Sequence, residues 1–360
     1  MHRRSLIKHT GLAGVLASGV APAVHAQATL RWRIASSFPK SSDTIYGGAQ
    51  VFAKAVRTLS NGKFEISVHP GGELMPPFDV VDGVQSGAVE MCHAVPYYFY
   101  DKNPAFALGC AVPFGFNARQ MSAWMLHGNG RRLMNEFYAG FNIVSFACGN
   151  TGTQMGGWFL REVKTPADFK GLKIRVGGGL VAEVMQRLGA IPQSLPGGEI
   201  YQALQKGSID AAEWIGPYDD QKLGFNKVAP FYYYPGWWEG GPEVDLFVNK
   251  KAYDALTPDY RFIIEAAASI AHTDMLARYD ALNPNALKQL VAAKTKVLPF
   301  SQLILDAAFR ASMEAFAHND ARSPEWKKIY ADMRNFQRDQ ILWFRFAEAR
   351  YDTFMSAQKI

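Results

Sequence analysis

Apolar and polar residues alternate from Leu30 through Trp32, Ile34 and Ser36, the period-two signature of a half-buried strand, and the pattern breaks at Pro39-Lys40-Ser41-Ser42. From Thr44 to Leu59 the period changes. Ile45, Val51, Phe52, Ala55, Val56 and Leu59 fall at helical spacing, and Asn61-Gly62 closes the segment with a pair that tolerates the left-handed conformation. Phe64 to Val68 reads as strand again, and strand, helix, strand is the unit of an α/β sheet covered by helices. Ile143 to Phe146, Leu172 to Val176 and Ala190 to Leu195 read as further strands, with Val181 to Leu188 as a short helix. Pro258 to Leu282 predicts a long helix with Phe262, Ile263, Ala266, Ile270 and Met275 on its apolar side. Beyond Pro324, Trp326, Ile329, Met333, Phe336, Ile341, Phe344, Ala347, Tyr351 and Phe354 recur every three to five positions and predict one long amphipathic helix.

Two distant segments echo each other. Pro70-Gly71-Gly72-Glu73 and then Gly83-Val84-Gln85-Ser86-Gly87-Ala88-Val89-Glu90 are answered by Pro196-Gly197-Gly198-Glu199 and Ala203-Leu204-Gln205-Lys206-Gly207-Ser208-Ile209-Asp210. In each, a short helix is expected to end at a glycine able to take positive φ, and a small-then-apolar pair leads into a strand headed by an acid. Two similar α/β lobes leave a cleft between them, where ligands settle. The expected architecture is α/β and two-lobed, with residues 28–149 plus about 240–283 in one lobe and 150–239 plus about 284–323 in the other. Residues 324–360 are expected to form the long C-terminal helix. No low-complexity linker divides the lobes, so the chain is expected to cross between them more than once. The terminal helix carries more aromatic surface than one flank of a monomer usually covers, and packing on a second copy of the chain competes with packing on its own domain.

The first residues alter the charge balance. His2-Arg3-Arg4-Ser5-Leu6-Ile7-Lys8, an uncharged run from Gly11 to Val24 and the small-residue pattern Val24-His25-Ala26 read as a secretory signal over 1–27, with paired arginines like those of a twin-arginine leader and an ordinary Sec signal as the alternative. Its removal takes away Arg3, Arg4 and Lys8 and no acid, so the net charge falls from +6 to +3. No basic stripe suited to nucleic acid and no later apolar run of about 20 residues remains. Cys92, Cys110 and Cys148 are an odd set in an oxidising compartment and match no metal spacing; buried, unpaired thiols are expected ahead of a Cys92–Cys110 bridge.

The first candidate for chemistry is Arg175, delivered by an apolar strand just before Gly177-Gly178. Strand ends of open α/β sheets face the ligand crevice. A guanidinium there, reachable from solvent in the open protein, offers two parallel donors matched to a carboxylate, and a structural salt bridge is the alternative use of the same group. Gly177-Gly178-Gly179-Leu180-Val181-Ala182 also fits a loose dinucleotide fingerprint, which makes an NAD-dependent oxidoreductase the rival class. No H-E-x-x-H, G-x-S-x-G or Walker sequence is present, and the histidines are scattered.

The run Ala167 to Val176, then Leu188-Gly189-Ala190, then Pro196 to Glu213, resembles the DctP-type substrate-binding proteins of TRAP transporters, and the resemblance extends over essentially the whole mature chain. Phe38-Pro39-Lys40 and Trp237-Trp238-Glu239-Gly240-Gly241 look most like the subgroup that binds 2-oxo acids or lactate. The resemblance implies a two-lobed periplasmic binding protein fold, type II-like, that closes on a small carboxylate and docks on the membrane subunits of the transporter. It is not an enzyme fold in that setting. The arginine matching Arg175 would clamp the substrate carboxylate. A cation would sit beside the substrate on Gln154, Glu213, the carbonyl of Trp214 and Glu239, a set of oxygens suited to Na⁺ or alternatively Ca²⁺. Two carboxylates meeting beside an anionic ligand also call for a positive charge between them. Asn150 is expected to present its amide to a substrate oxygen, Tyr98 to donate to a keto oxygen, and Trp214 to wall off the aliphatic part, with an ordinary polar turn, aromatic core and plain packing as the respective alternatives. Arg175, Asn150, Gln154, Tyr98, Trp214 and Glu213 are thus the expected substrate contacts. A sensory receptor for the same acid would look alike in sequence.

Overall fold

In the computed structural model, which describes residues 29–358, the alternating stretch forms strand β1 (Leu30–Ser36), burying Trp32 and Ile34 and exposing Arg31 and Arg33. The export signal expected over 1–27 lies outside the described residues. A helix over Ile45–Leu59 carries the chain to β2 (Phe64–His69), parallel to β1, and β3 (Met91–Ala94) pairs in parallel on the other side. Strands β10 (Glu243–Asn249) and β4 (Ile143–Asn150) complete a five-stranded sheet in the order β2-β1-β3-β10-β4, with β10 antiparallel to both neighbours. A second sheet of six strands is built from β5 (Trp158–Phe159), β6 (Lys173–Val176), β7 (Ile191–Ser194), β8 (Ala211–Ala212), β9 (Phe231–Tyr234) and β11 (Lys296–Pro299), in the order β11-β9-β5-β8-β6-β7. The chain passes between the sheets after Asn150, before Glu243, and along the helix Pro258–Ala292. The result is a two-lobed α/β fold.

The echoed segments perform the same task in each sheet. Gly87 and Gly207 both take positive φ, 78° and 66°, after short helices over Val80–Ser86 and Ile200–Gln205. The acid that follows satisfies a main-chain N–H of the neighbouring parallel strand: Glu90 Oε2 accepts from Arg33 at 2.8 Å, and Asp210 Oδ2 from Lys173 at 2.9 Å. Both strands then run toward the space between the sheets.

Two helices differ from expectation. The helix expected to stop at Leu282 continues through Pro284 to Ala292, although Pro284 gives up an N–H and the matching bond to the carbonyl of Asp280. Burial of Met275 and Tyr279 before the proline and of Ala286 and Leu290 after it outweighs that loss. Its buried stripe is Ile264, Ala267, Ala268, Ala271 and Met275, whereas Phe262 and Ile270 face solvent. Small residues win this face because the helix packs closely on the Ile45–Leu59 helix and on β4. The C-terminal helix is broken, running over Pro324–Phe346 and then Glu348–Ser356, with Ala347 at ψ −100°. Arg119 holds both sides of the break: it lies over the Phe344 ring and pairs with Glu348. Trp326, Ile329, Tyr330 and Met333 bury the first half of this arm. All three cysteines are buried and unbridged.

Candidate functional site

Arg175 stands on β6 and is held from three sides. Its Nε donates to the Leu195 carbonyl at 3.0 Å, its Nη1 to the Glu213 carbonyl at 2.9 Å and to Glu213 Oε1 at 2.6 Å, and its plane lies over the Trp214 ring at 5.1 Å. Nη2 is buried without a hydrogen-bond partner. One nitrogen thus makes the structural ion pair of the alternative reading, and another is left without an acceptor. Position 175 is sealed rather than reachable from solvent, at 1% exposure, because the turn Pro96–Phe99 of the other lobe closes over it. A surface groove lined by Tyr98, Gly177, Gly178, Gln193 and Ser194 lies beside the end of β6.

Glu213 leaves β8, and Gly177 N–H donates to its Oε1 at 2.6 Å, while Oε2 has no partner. Glu239 lies in the turn between β9 and β10, with its N–H on the Gly236 carbonyl and its own carbonyl accepting from Gln154 N–H at 3.1 Å. Its Oε2 is buried and unpaired, as is Oε1 of Gln154, whose amide nitrogen is spent on Thr151 Oγ1 at 3.2 Å. Three acceptor oxygens without donors and one guanidinium nitrogen without an acceptor are thus buried in this region. Buried polar groups normally find partners, so this pattern specifies what is missing: something positive for the oxygens and something negative for the nitrogen.

The electrostatics agree. Burial, reinforced by Glu213, pushes the Glu239 carboxyl well above the usual carboxylate range. Burial also raises Glu213, against the pull of Arg175. Burial works against the Arg175 charge, but Glu213 beside it prevails and the guanidinium is held more firmly protonated than usual. One arginine does not balance two carboxylates and an anionic ligand, and an all-oxygen donor set fits a hard cation. Gln154, Glu213 and Glu239 are the side chains here that fit such an ion.

The remaining expected residues divide. The Tyr98 hydroxyl lies beside the Arg175 guanidinium, and burial keeps the phenol protonated. Trp214 sits under Arg175 because position 197 is glycine: a Cβ there would fall 2.2 Å from the indole Cη2. Asn150 is engaged within the protein: its Oδ1 accepts from Gly152 N–H at 2.9 Å and its Nδ2 donates to the Gly241 carbonyl at 2.9 Å, so the amide ties the 150–152 turn to the 241–243 segment. Tyr97 was not singled out by sequence, yet its hydroxyl reaches Glu239. The glycine turn after β6 is where the lobes touch: a Cβ on Gly177 would lie 2.5 Å from the Tyr97 ring, and one on Gly179, at φ +61°, 2.7 Å from Tyr100 Cβ. A dinucleotide diphosphate has no room there.

Known proteins share this fold. The model of the DctP family, described as bacterial extracellular solute-binding protein, family 7, matches residues 35–322. A monocarboxylate 2-oxoacid-binding periplasmic protein of Nostoc sp. is 47% identical over 330 residues, covering 92% of this chain and 90% of the relative. A TRAP transporter solute-binding protein of Bordetella bronchiseptica, solved as a mixed-occupancy dimer with copurified calcium and picolinate in one site, is 47% identical with a TM-score of 0.90, covering 92% of this chain and 98% of that one. A TRAP periplasmic solute-binding protein of Pseudoalteromonas atlantica with bound sodium and pyruvate is 35% identical with a TM-score of 0.87, covering 92% and 100%. With a guanidinium and a set of oxygens left open between two α/β lobes, and with this breadth of similarity, the chain belongs to family 7 of the bacterial extracellular solute-binding proteins, a transport family and not a family of enzymes.

Proposed function

We propose that this protein captures a small 2-oxo monocarboxylate such as pyruvate or 2-oxobutyrate in the periplasm, together with a cation, and delivers it to the membrane subunits of a TRAP transporter. The observation that carries the reading is the set of unpaired buried groups, Arg175 Nη2 against Gln154 Oε1, Glu213 Oε2 and Glu239 Oε2. Arg175 holds the ligand carboxylate, Tyr98 donates to the keto oxygen, and Trp214 bounds the short aliphatic end. Na⁺ or Ca²⁺ on Gln154, Glu213, Glu239 and the Trp214 carbonyl neutralises the acids when bound; the bound ions of the relatives support this. The two sheets with their helices act as lobes that open about the connections between them, and residues 1–27 serve as the export signal. An ion pair and a hydrogen bond across the gap favour the closed form: Lys222 meets Asp43 at 2.7 Å, and Tyr100 donates to Glu183 at 2.5 Å. A ligand shifts the lobes only through its greater affinity for that form.

Calorimetry on the mature protein tests this. Pyruvate and 2-oxobutyrate are expected to bind more tightly than lactate, whose hydroxyl is a poorer partner for the Tyr98 donor. Tighter binding of lactate would replace the 2-oxo reading with its 2-hydroxy alternative, and binding of neither would remove both.

The C-terminal arm supports pairing of two copies. Trp343, Phe346, Tyr351 and Phe354 are exposed at 58%, 74%, 65% and 64%, an apolar surface that a partner copy would cover. Trp343→Asp with Phe346→Asp is expected to turn a dimer into a monomer in light scattering while ligand affinity changes less than about threefold, a difference under 1 kcal/mol. An unchanged molar mass would show that these residues do not form the contact.

A further inference from the structure

We propose that the first lobe carries a second cation site, distinct from the cleft, that takes one small monovalent ion. Strand β4 is the free edge of the five-stranded sheet, and between this edge, the helix Gly130–Ala139 and the helix Pro258–Ala292 lies a cavity of about 50 Å³, room for roughly three or four waters. Glu243, Asp245, Ser145 and Tyr138 line it. Glu243 and Asp245 alternate on β10, so both carboxyls emerge on the same face of the sheet, and both are buried. Asp245 Oδ2 accepts from Ser145 Oγ at 2.5 Å. Glu243 Oε2 has only a long contact with Asn150 Nδ2 at 3.4 Å, and Glu243 Oε1 has no partner. The fully buried Tyr138 hydroxyl, in the same wall, has none either.

No lysine or arginine among the described residues pairs with either carboxyl; the nearest titratable nitrogen is His272 Nδ1, 3.9 Å from Glu243, and burial lowers that imidazole toward its neutral form. Arg131, farther out on the cavity wall, is engaged by Glu265 on the neighbouring helix. Burial raises Glu243 to about 8 and, with Glu243 beside it, carries Asp245 well above the usual range, and neither carboxyl has a cationic partner to offset this. A proton can occupy one oxygen, whereas an ion can engage Glu243 Oε1, the Tyr138 oxygen and water together. Divalent calcium, which takes six to eight oxygens, is poorly served by so few donors. That leaves Na⁺, K⁺ or ammonium.

The site does not depend on how the cleft is read, so its test uses ligand-free Glu239→Gln protein, in which the cleft donor set is impaired. At pH 8.5 and constant ionic strength, replacing choline chloride by the chloride of Na⁺, K⁺ or ammonium is expected to raise Tm by about 3 °C or more for at least one ion. The rise should vanish when Glu243→Gln is added. An equal rise in both proteins, or none in either, overturns the proposal and leaves the carboxyls as proton carriers. Should the double variant fail to fold, crystals of the unaltered protein in thallium(I) decide the matter: an anomalous peak beside Glu243 is expected, and its absence there refutes the site.

Discussion

Arg175→Ala is expected to abolish calorimetrically detectable binding of pyruvate and to destabilise the protein by about 3–5 kcal/mol, the usual cost of breaking a buried ion pair from one side. Both effects have one origin. The guanidinium satisfies the Leu195 and Glu213 carbonyls and Glu213 Oε1 while keeping Nη2 in reserve, so its removal strands an acid as well as the ligand. The two effects separate in the double variant Arg175→Ala with Glu213→Gln, which removes the stranded charge: stability should recover in part in urea unfolding, and binding should not. Arg175→Lys should recover little binding, because an ammonium cannot span Leu195, Glu213 and a ligand carboxylate as the planar fork does. Micromolar binding by the alanine variant would show that the free nitrogen is not the anion's anchor.

How much of this site can be seen in sequence depends on what each feature demands of residue type. Positive φ at Gly87 and Gly207 and the close approach of Gly197 to Trp214 require glycine, so the lobes and the wall of the site leave a trace in the letters. Tyr97 leaves none. In the 3₁₀ turn Pro96–Phe99 each residue is rotated by about 120° from the last, which sends Tyr97 to Glu239 and Tyr98 to Arg175, and nothing in Tyr-Tyr-Phe-Tyr indicates where that turn begins. Asn150 shows a related limit: at the end of a strand its amide is equally suited to a ligand and to the Gly241 carbonyl, and the bond to Gly241 depends on the fold of the distant 241–243 segment. Helix ends follow the same logic. Pro284 signals a stop that packing on both sides of it overrides, and Ala347 breaks a helix with no local signal because Arg119, over two hundred residues earlier, holds both segments.

Removing cations should weaken ligand binding about 10²-fold or more, since like charges brought together in a closed interface cost several kcal/mol. Without the ion, Glu213 and Glu239 share a buried site with the incoming carboxylate, with Arg175 the sole positive side chain paired there among the described residues, so Glu239 must either repel the ligand or take up a proton. Glu239→Gln removes one of those charges and one ion ligand at the same stroke. Its affinity for pyruvate should therefore be lower than that of the unaltered protein in Na⁺ or Ca²⁺, yet nearly indifferent to chelation or to exchange of Na⁺ for choline. The crossing of those two dependences in calorimetry distinguishes an ion that bridges ligand and acids from one that only stabilises the fold: in the latter case Glu239→Gln would shift Tm with the ion while the cation dependence of pyruvate affinity stayed as steep as before.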